Sequence, residues 1–123
     1  MIEATSIDHV NMMVKNLAKS IEFYDQVFGF TIRKDQTEDN SKIVGNDRIK
    51  LCLYEDANMS PDGGISHFGF AVENFDEIVA NCEKLKVPIL YGGAISWEHS
   101  RSIYIEDPSG YVIELSEIAG GGL

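Results

Sequence analysis

Residues 7–14, IDHVNMMV, and residues 65–72, ISHFGFAV, are short apolar runs, and each carries a histidine at its third position. Both read as strands, with alternate side chains on opposite faces. A polar corner follows each run, and then apolar residues at helical spacing. Ile21, Tyr24 and Phe28 predict a helix over 17–27, and Ile78, Val79, Cys82 and Leu85 predict one over 75–85. Gly29 suits the C-cap of the first helix, because glycine takes the left-handed conformation at little cost. Further strands are expected over 30–34, 49–54, 89–91, 101–105 and 111–115. The polar segment 37–46 reads as a strand edge or a loop, and its counterpart near 94–97 has an equally faint pattern. DANMSPDGG, residues 56–64, has the Pro, Gly, Asp and Asn content of a linker. EDPSG, residues 106–110, reads as a turn: Pro108 presets φ and Gly110 tolerates positive φ.

A shift of 58 residues superimposes the two halves. Ile7 falls on Ile65, His9 on His67, Asn16 on Asn74, Leu17 on Phe75 and Ile32 on Leu90. Self-similarity at a fixed offset implies one supersecondary unit used twice. The predicted order is β-α-β-β-β, repeated, in modules 7–55 and 65–117, and the fold class is α+β.

Parity then assigns faces. Val10, Met12 and Val14 supply the apolar side that a helix needs, which leaves His9, Asn11 and Met13 opposite. In the second copy Phe68, Phe70 and Val72 face the helix, and His67, Gly69 and Ala71 face away. Ile113 and Leu115 fit the helix side of the last strand, so Glu114 shares the open face with Val112 and Ser116. Two imidazoles and one carboxylate therefore point away from the helices. A carboxylate between Ile113 and Leu115 is costly to bury unless it is paired or metal-bound. Two neutral nitrogen donors and one anionic oxygen form a facial site for Zn(II), Ni(II), Mn(II) or Fe(II) with open positions for substrate or water.

Composition narrows the partners. The chain has 123 residues, 20 acidic and 10 basic, for a formal charge of −10. Without a Lys/Arg stripe, nucleic acid is not an expected partner. No 18-residue apolar run suggests a membrane span, and MIEATSID lacks the basic and apolar blocks of a signal peptide. Two cysteines, Cys52 and Cys82, make no disulfide framework. The expectation is a cytoplasmic protein with free thiols and a frayed AGGGL tail.

The segments IDHVNMMVKNLAKSIEFYDQVFGF and RSIYIEDPSGYVIELSE resemble the vicinal-oxygen-chelate superfamily. Glyoxalase I, fosfomycin-resistance enzymes, extradiol dioxygenases, methylmalonyl-CoA epimerase and bleomycin-binding proteins belong to it. The resemblance runs from Ile7 to Glu117 and implies paired modules curled into an incomplete barrel around a metal. It casts His9, His67 and Glu114 as the metal ligands. Matching KLCLYE to VIELSE puts Cys52 where four-ligand members carry a further glutamate, while Glu55 has the opposite parity. A pocket-wall Cys52 is the expected reading, with a thiolate ligand as the alternative.

The resemblance implies a metal-dependent lyase or isomerase acting on a small oxygenated metabolite. The alternatives are an Fe(II) extradiol-type dioxygenase and a non-catalytic binding protein of the bleomycin-resistance type. Glu38, Glu98, His99 and Tyr104 are the candidates for acid/base work. Asn11, Cys52, Trp97 and Arg101 are the candidates for substrate contact. Fosfomycin-resistance enzymes resemble the chain in size and in the Trp97 segment, but they surround their phosphonate with several cations. Between Tyr91 and Glu114 this chain offers only Arg101 and His99. Single-pair members commonly dimerise, so a homodimer is expected in which His9 of one copy completes the site of the other.

Overall fold

The computed structural model describes residues 3, 5–36, 38, 40–63 and 65–118. The AGGGL tail lies outside the described residues. The chain divides into two compact units, Met1–Met59 and Ser60–Leu123.

In the first unit the order is β1 (Val10–Val14), α1 (Leu17–Phe28), β2 (Thr31–Gln36), β3 (Ser41–Gly45) and β4 (Lys50–Glu55). The strands form one open sheet in the order β1-β4-β3-β2, with β1 parallel to β4 and the other pairs antiparallel. The helix starts where Asn16 Oδ1 accepts from the Lys19 N–H at 2.9 Å. It ends at Gly29, whose left-handed φ of 68° lets its N–H return to the Asp25 carbonyl. No acidic residue stands in its first turn. Glu55, at the end of β4, supplies the anion instead: its Oε2 accepts from the Leu17 N–H at 2.9 Å. The core holds Met12, Val14, Tyr24, Val27, Phe30, Val44, Leu51 and Leu53.

The second unit repeats the plan: β5 (Phe68–Ala71), α2 (Phe75–Lys84), β6 (Ile95–Ser96), β7 (Arg101–Glu106) and β8 (Val112–Ser116). Its sheet runs β5-β8-β7-β6, with β5 parallel to β8. Phe75, Cys82, Ile103, Ile105, Ile113 and Leu115 are buried in its core. The β7–β8 turn is built by Asp107, whose Oδ1 accepts from the Ser109 and Tyr111 N–H groups at 2.9 Å. Gly110 takes a φ of 95° there.

The α+β class and the paired modules are as expected, with two open sheets. Three details differ. The first strand of each unit begins three residues late, so His9 and His67 sit one residue ahead of β1 and β5. The parallel ladders open at Val10 against Leu51 and at Phe68 against Ile113, one residue inside the starts of β4 and β8, so each histidine stands just outside the paired residues. The strand expected at 89–91 shrinks to a single bridge from Ile89 to Ile105. Pro88 brings no N–H to the ladder, and Tyr91, Gly92 and Gly93 all take positive φ, which turns the chain away. Within the polar segment 37–46, residues 41–45 do form a paired strand, between β2 and β4.

Candidate functional site

On β8, Ile113 and Leu115 are fully buried on the helix side, and Glu114 and Ser116 project to the other face. Register decides what surrounds the carboxylate. Gly69 of β5 and Tyr104 of β7 lie directly across from Glu114, and Ser102 lies across from Ser116. Gly69 makes room, since a Cβ there would come within 3.2 Å of the Glu114 carbonyl oxygen. Glu114 itself is only 5% exposed. Its Oε1 accepts from Ser102 Oγ at 2.8 Å and from Ser116 Oγ at 3.4 Å. Ser102 Oγ in turn accepts from the Trp97 indole N–H at 3.1 Å. Glu114 Oε2 stands 3.2 Å from His67 Nε2. The Tyr104 phenol, across from this carboxylate, is pushed above the usual range by burial and then by the Glu114 charge. The His67 and Tyr91 rings meet Tyr104 edge-on, at 5.4 and 5.3 Å between centroids.

This pair fits a divalent cation. Two donors bound to one ion at about 2.1 Å, with an angle of about 90–110°, stand about 3.0–3.4 Å apart. The spacing of His67 Nε2 and Glu114 Oε2 falls in that interval. Among the described residues no group of three or more His, Cys, Asp and Glu side chains gathers as a metal cluster. His9 belongs to the first unit, where it is exposed. Its Nδ1 meets Asp8 Oδ2 at 2.7 Å, and Asp8 is held by Lys50 at 3.0 Å. The His9 bond and the Lys50 charge keep the Asp8 carboxyl below its usual range. With Nδ1–H given to a carboxylate, the lone pair of a neutral ring sits on Nε2, the arrangement that metal-binding histidines use.

The open face of the first unit is built on the same register. Asn11 lies across from Cys52 as Gly69 lies across from Glu114, so Cys52 occupies the place of Glu114 in the first sheet. Cys52 is half-buried and Asn11 is exposed.

The other candidates are dispersed. Arg101 lies on the helix side of β7, as its neighbours Ile103 and Ile105 do, and not on the face of Glu114. Its guanidinium holds Glu117 at 2.7 and 2.9 Å and Asp76 at 3.1 Å, and stacks 4.6 Å over the Phe75 ring. It therefore pins α2 to the sheet rather than offering itself to a substrate carboxylate. Glu38 is exposed, and Glu98 and His99 face each other at 3.6 Å on the exposed loop between β6 and β7. Ser102, which joins Trp97 to Glu114, escaped the sequence reading. Its parity with Tyr104 was visible, but its place across from Ser116 depends on the turn at 107–110.

A profile described as the Glyoxalase/Bleomycin resistance protein/Dioxygenase superfamily matches residues 6–115. The chain belongs to this superfamily. Within it, the chain is 30% identical over 112 residues to the metallothiol transferase FosB of Lysinibacillus sphaericus, covering 89% of this chain and 79% of that one. It is 27% identical over 121 residues to the virulence protein STM3117 of Salmonella typhimurium, covering 90% of this chain and 83% of that one. The crystal structure of STM3117 matches with a TM-score of 0.75 at 23% identity, over 96% of this chain and all of that chain. The fosfomycin resistance protein FosX of Listeria monocytogenes matches with a TM-score of 0.80 at 22% identity, over 99% of this chain and 96% of that one. The structural likenesses show a common fold, and the similarity to enzymes supports catalytic potential. No helix among the described residues is long and apolar enough to cross a membrane.

Proposed function

We propose that the protein is a metal-dependent enzyme of the lyase or isomerase type, acting on a small oxygenated metabolite. His9, His67 and Glu114 are its ligands for Zn(II), Ni(II), Mn(II) or Fe(II). The observation that carries this reading is the buried Glu114 carboxylate with Oε2 3.2 Å from His67 Nε2. A third donor comes from His9 of the first unit, supplied by the same chain or by the other copy of a homodimer. A bound divalent cation supplies Lewis acidity to a substrate on which negative charge develops. The chain does the rest. Tyr104, kept protonated by burial and by Glu114, donates a hydrogen bond or a proton beside the metal ligands. Tyr91 packs edge-on against Tyr104, and Trp97 bonds to Ser102 on the same face. Asn11 and Cys52 line the open face of the first unit. Arg101, turned to the helix side, takes no part.

The similarity to FosB supports a second reading, transfer of a thiol to a small electrophile at the same metal. An Fe(II) dioxygenase is the third, distinguished by an iron and oxygen requirement.

The deciding experiment is elemental analysis of purified protein after loading with each of the four metals, with His67→Ala and Glu114→Ala alongside. Near-stoichiometric metal in the wild type and loss in both variants is expected. Failure of the wild type to retain any of the four overturns the reading. Turnover of thiol hemiacetals, epoxides with thiols, and catechols by the loaded protein then separates the chemistries.

A further inference from the structure

Glu114 is held from behind by a chain of donors whose direction can be worked out. The Trp97 indole N–H is a donor only, so at 3.1 Å Ser102 Oγ must accept from it. The hydroxyl has one proton, and the carboxylate oxygen Oε1, at 2.8 Å, is its nearest acceptor. Ser116 Oγ stands 3.4 Å from both Ser102 Oγ and Glu114 Oε1 and completes the net. Ser102 is fully buried, so water does not compete for that proton. A hydrogen bond to an ionised carboxylate is stronger and more directional than a neutral one.

We propose that Ser102, its hydroxyl oriented by Trp97, is a positioning residue that caps Glu114 Oε1 and presents Oε2, on the His67 side, as the single atom offered to a cation. This rests on the metal-binding reading above. It adds a role for two residues that are not among the proposed metal ligands. It also gives a reporter, because Trp97 is the only tryptophan in the chain, and its indole N–H is two hydrogen bonds from the ligand.

The test measures Zn(II) affinity of the full-length apo-protein by competition with a chromophoric chelator, and follows Trp97 emission through the same titration. Loss of an outer partner of a metal ligand typically lowers affinity by about 10–100-fold. Ser102→Ala is expected to fall in that range and to lose the Zn(II)-dependent emission change that the wild type shows. Ser102→Thr, which keeps the hydroxyl, is expected to restore both. Trp97→Phe, which removes the orienting N–H while keeping an aromatic ring, is expected to weaken Zn(II) several-fold. Thermal melts of the apo forms guard against a merely structural effect, and if Ser102→Ala does not fold, the Trp97→Phe and Ser102→Thr affinities decide. A folded Ser102→Ala that binds Zn(II) as the wild type does overturns the inference, as does wild-type affinity in Trp97→Phe. In either case Glu114→Ala must still lose Zn(II) for the proposed function to stand. Retention of Zn(II) by Glu114→Ala sinks both.

Discussion

Cys52 and Cys82 are the same thiol in opposite surroundings. Cys82 is fully buried on α2, and burial, helped by the Glu83 charge, pushes it up to about 11. A thiol with a raised value stays protonated and inert at pH 8. Cys52 is half-buried on the open face of the first sheet. Titration of native protein with a thiol-reactive disulfide at pH 8 should therefore modify Cys52 first, and Cys82 only on unfolding. Cys52→Ser should remove the fast phase. Two thiols reacting at one rate would contradict the placement. Gly69 gives a second prediction at this scale. A side chain there presses on the backbone of β8 at 3.2 Å, so Gly69→Val should destabilise by about 1–3 kcal/mol in a denaturant melt. Strand parity in the sequence was enough to put His67, Gly69 and Glu114 on one face. It was not enough to find Ser102 or the partners of Arg101. Ser102 needs the β7–β8 register, and Arg101 needs Asp76 and Glu117 brought near from other elements.

At the scale of elements, the start of α1 combines a local cap with a distant one. Asn16 is local, and Asn16→Ala should cost about 1 kcal/mol of stability in chemical denaturation. Glu55 comes from β4. The Leu17 N–H, and then the Asn40 amide, hold its carboxyl below the ordinary 4.5. A depressed folded value means stability that is present above the unfolded value and lost as pH falls through the folded one. The stability gap between wild type and Glu55→Gln should thus be open at pH 7 and should close below about pH 4.5, read from urea midpoints across that range. A gap that persists unchanged at pH 3 would refute the carboxylate's part. Both helices were legible because Ile21, Tyr24 and Phe28, and likewise Ile78 and Cys82, repeat with helical period. The strands were less so. Residues 89–91 have the apolar content of a strand but lack a straight backbone to pair with, and residues 41–45 lack alternation but find two partners.

For the whole molecule, the two units share one strand order, and the shift of 58 residues carries β1 onto β5 and the start of α1 onto that of α2. Whether His9, as a proposed ligand, acts in its own chain or in a partner is open to a mixing test. Co-refolding His9→Ala with Glu114→Ala in equal amounts leaves a cis site broken in every chain. In a homodimer with shared sites, half of the random pairs are mixed, and each mixed pair keeps one intact site, so about a quarter of the sites should regain metal. No recovery, where His9→Ala alone has lost its metal, argues against a shared site. Metal loading should also raise the melting temperature of the wild type, since a ligand that binds only the folded state stabilises it by mass action, and should leave that of Glu114→Ala unchanged.

By itself the sequence determined the repeated β-α-β-β-β plan, the helix-facing and open faces of the key strands, and the three residues proposed as ligands. Those follow from local periodicity and from the high cost of leaving a carboxylate buried without a partner. Tertiary structure alone decided where the strands begin, what closes around Glu114, and which carboxylates hold Arg101. Each of these depends on residues far apart in the chain meeting through strand register, and register is a property of pairs of elements, not of any one segment.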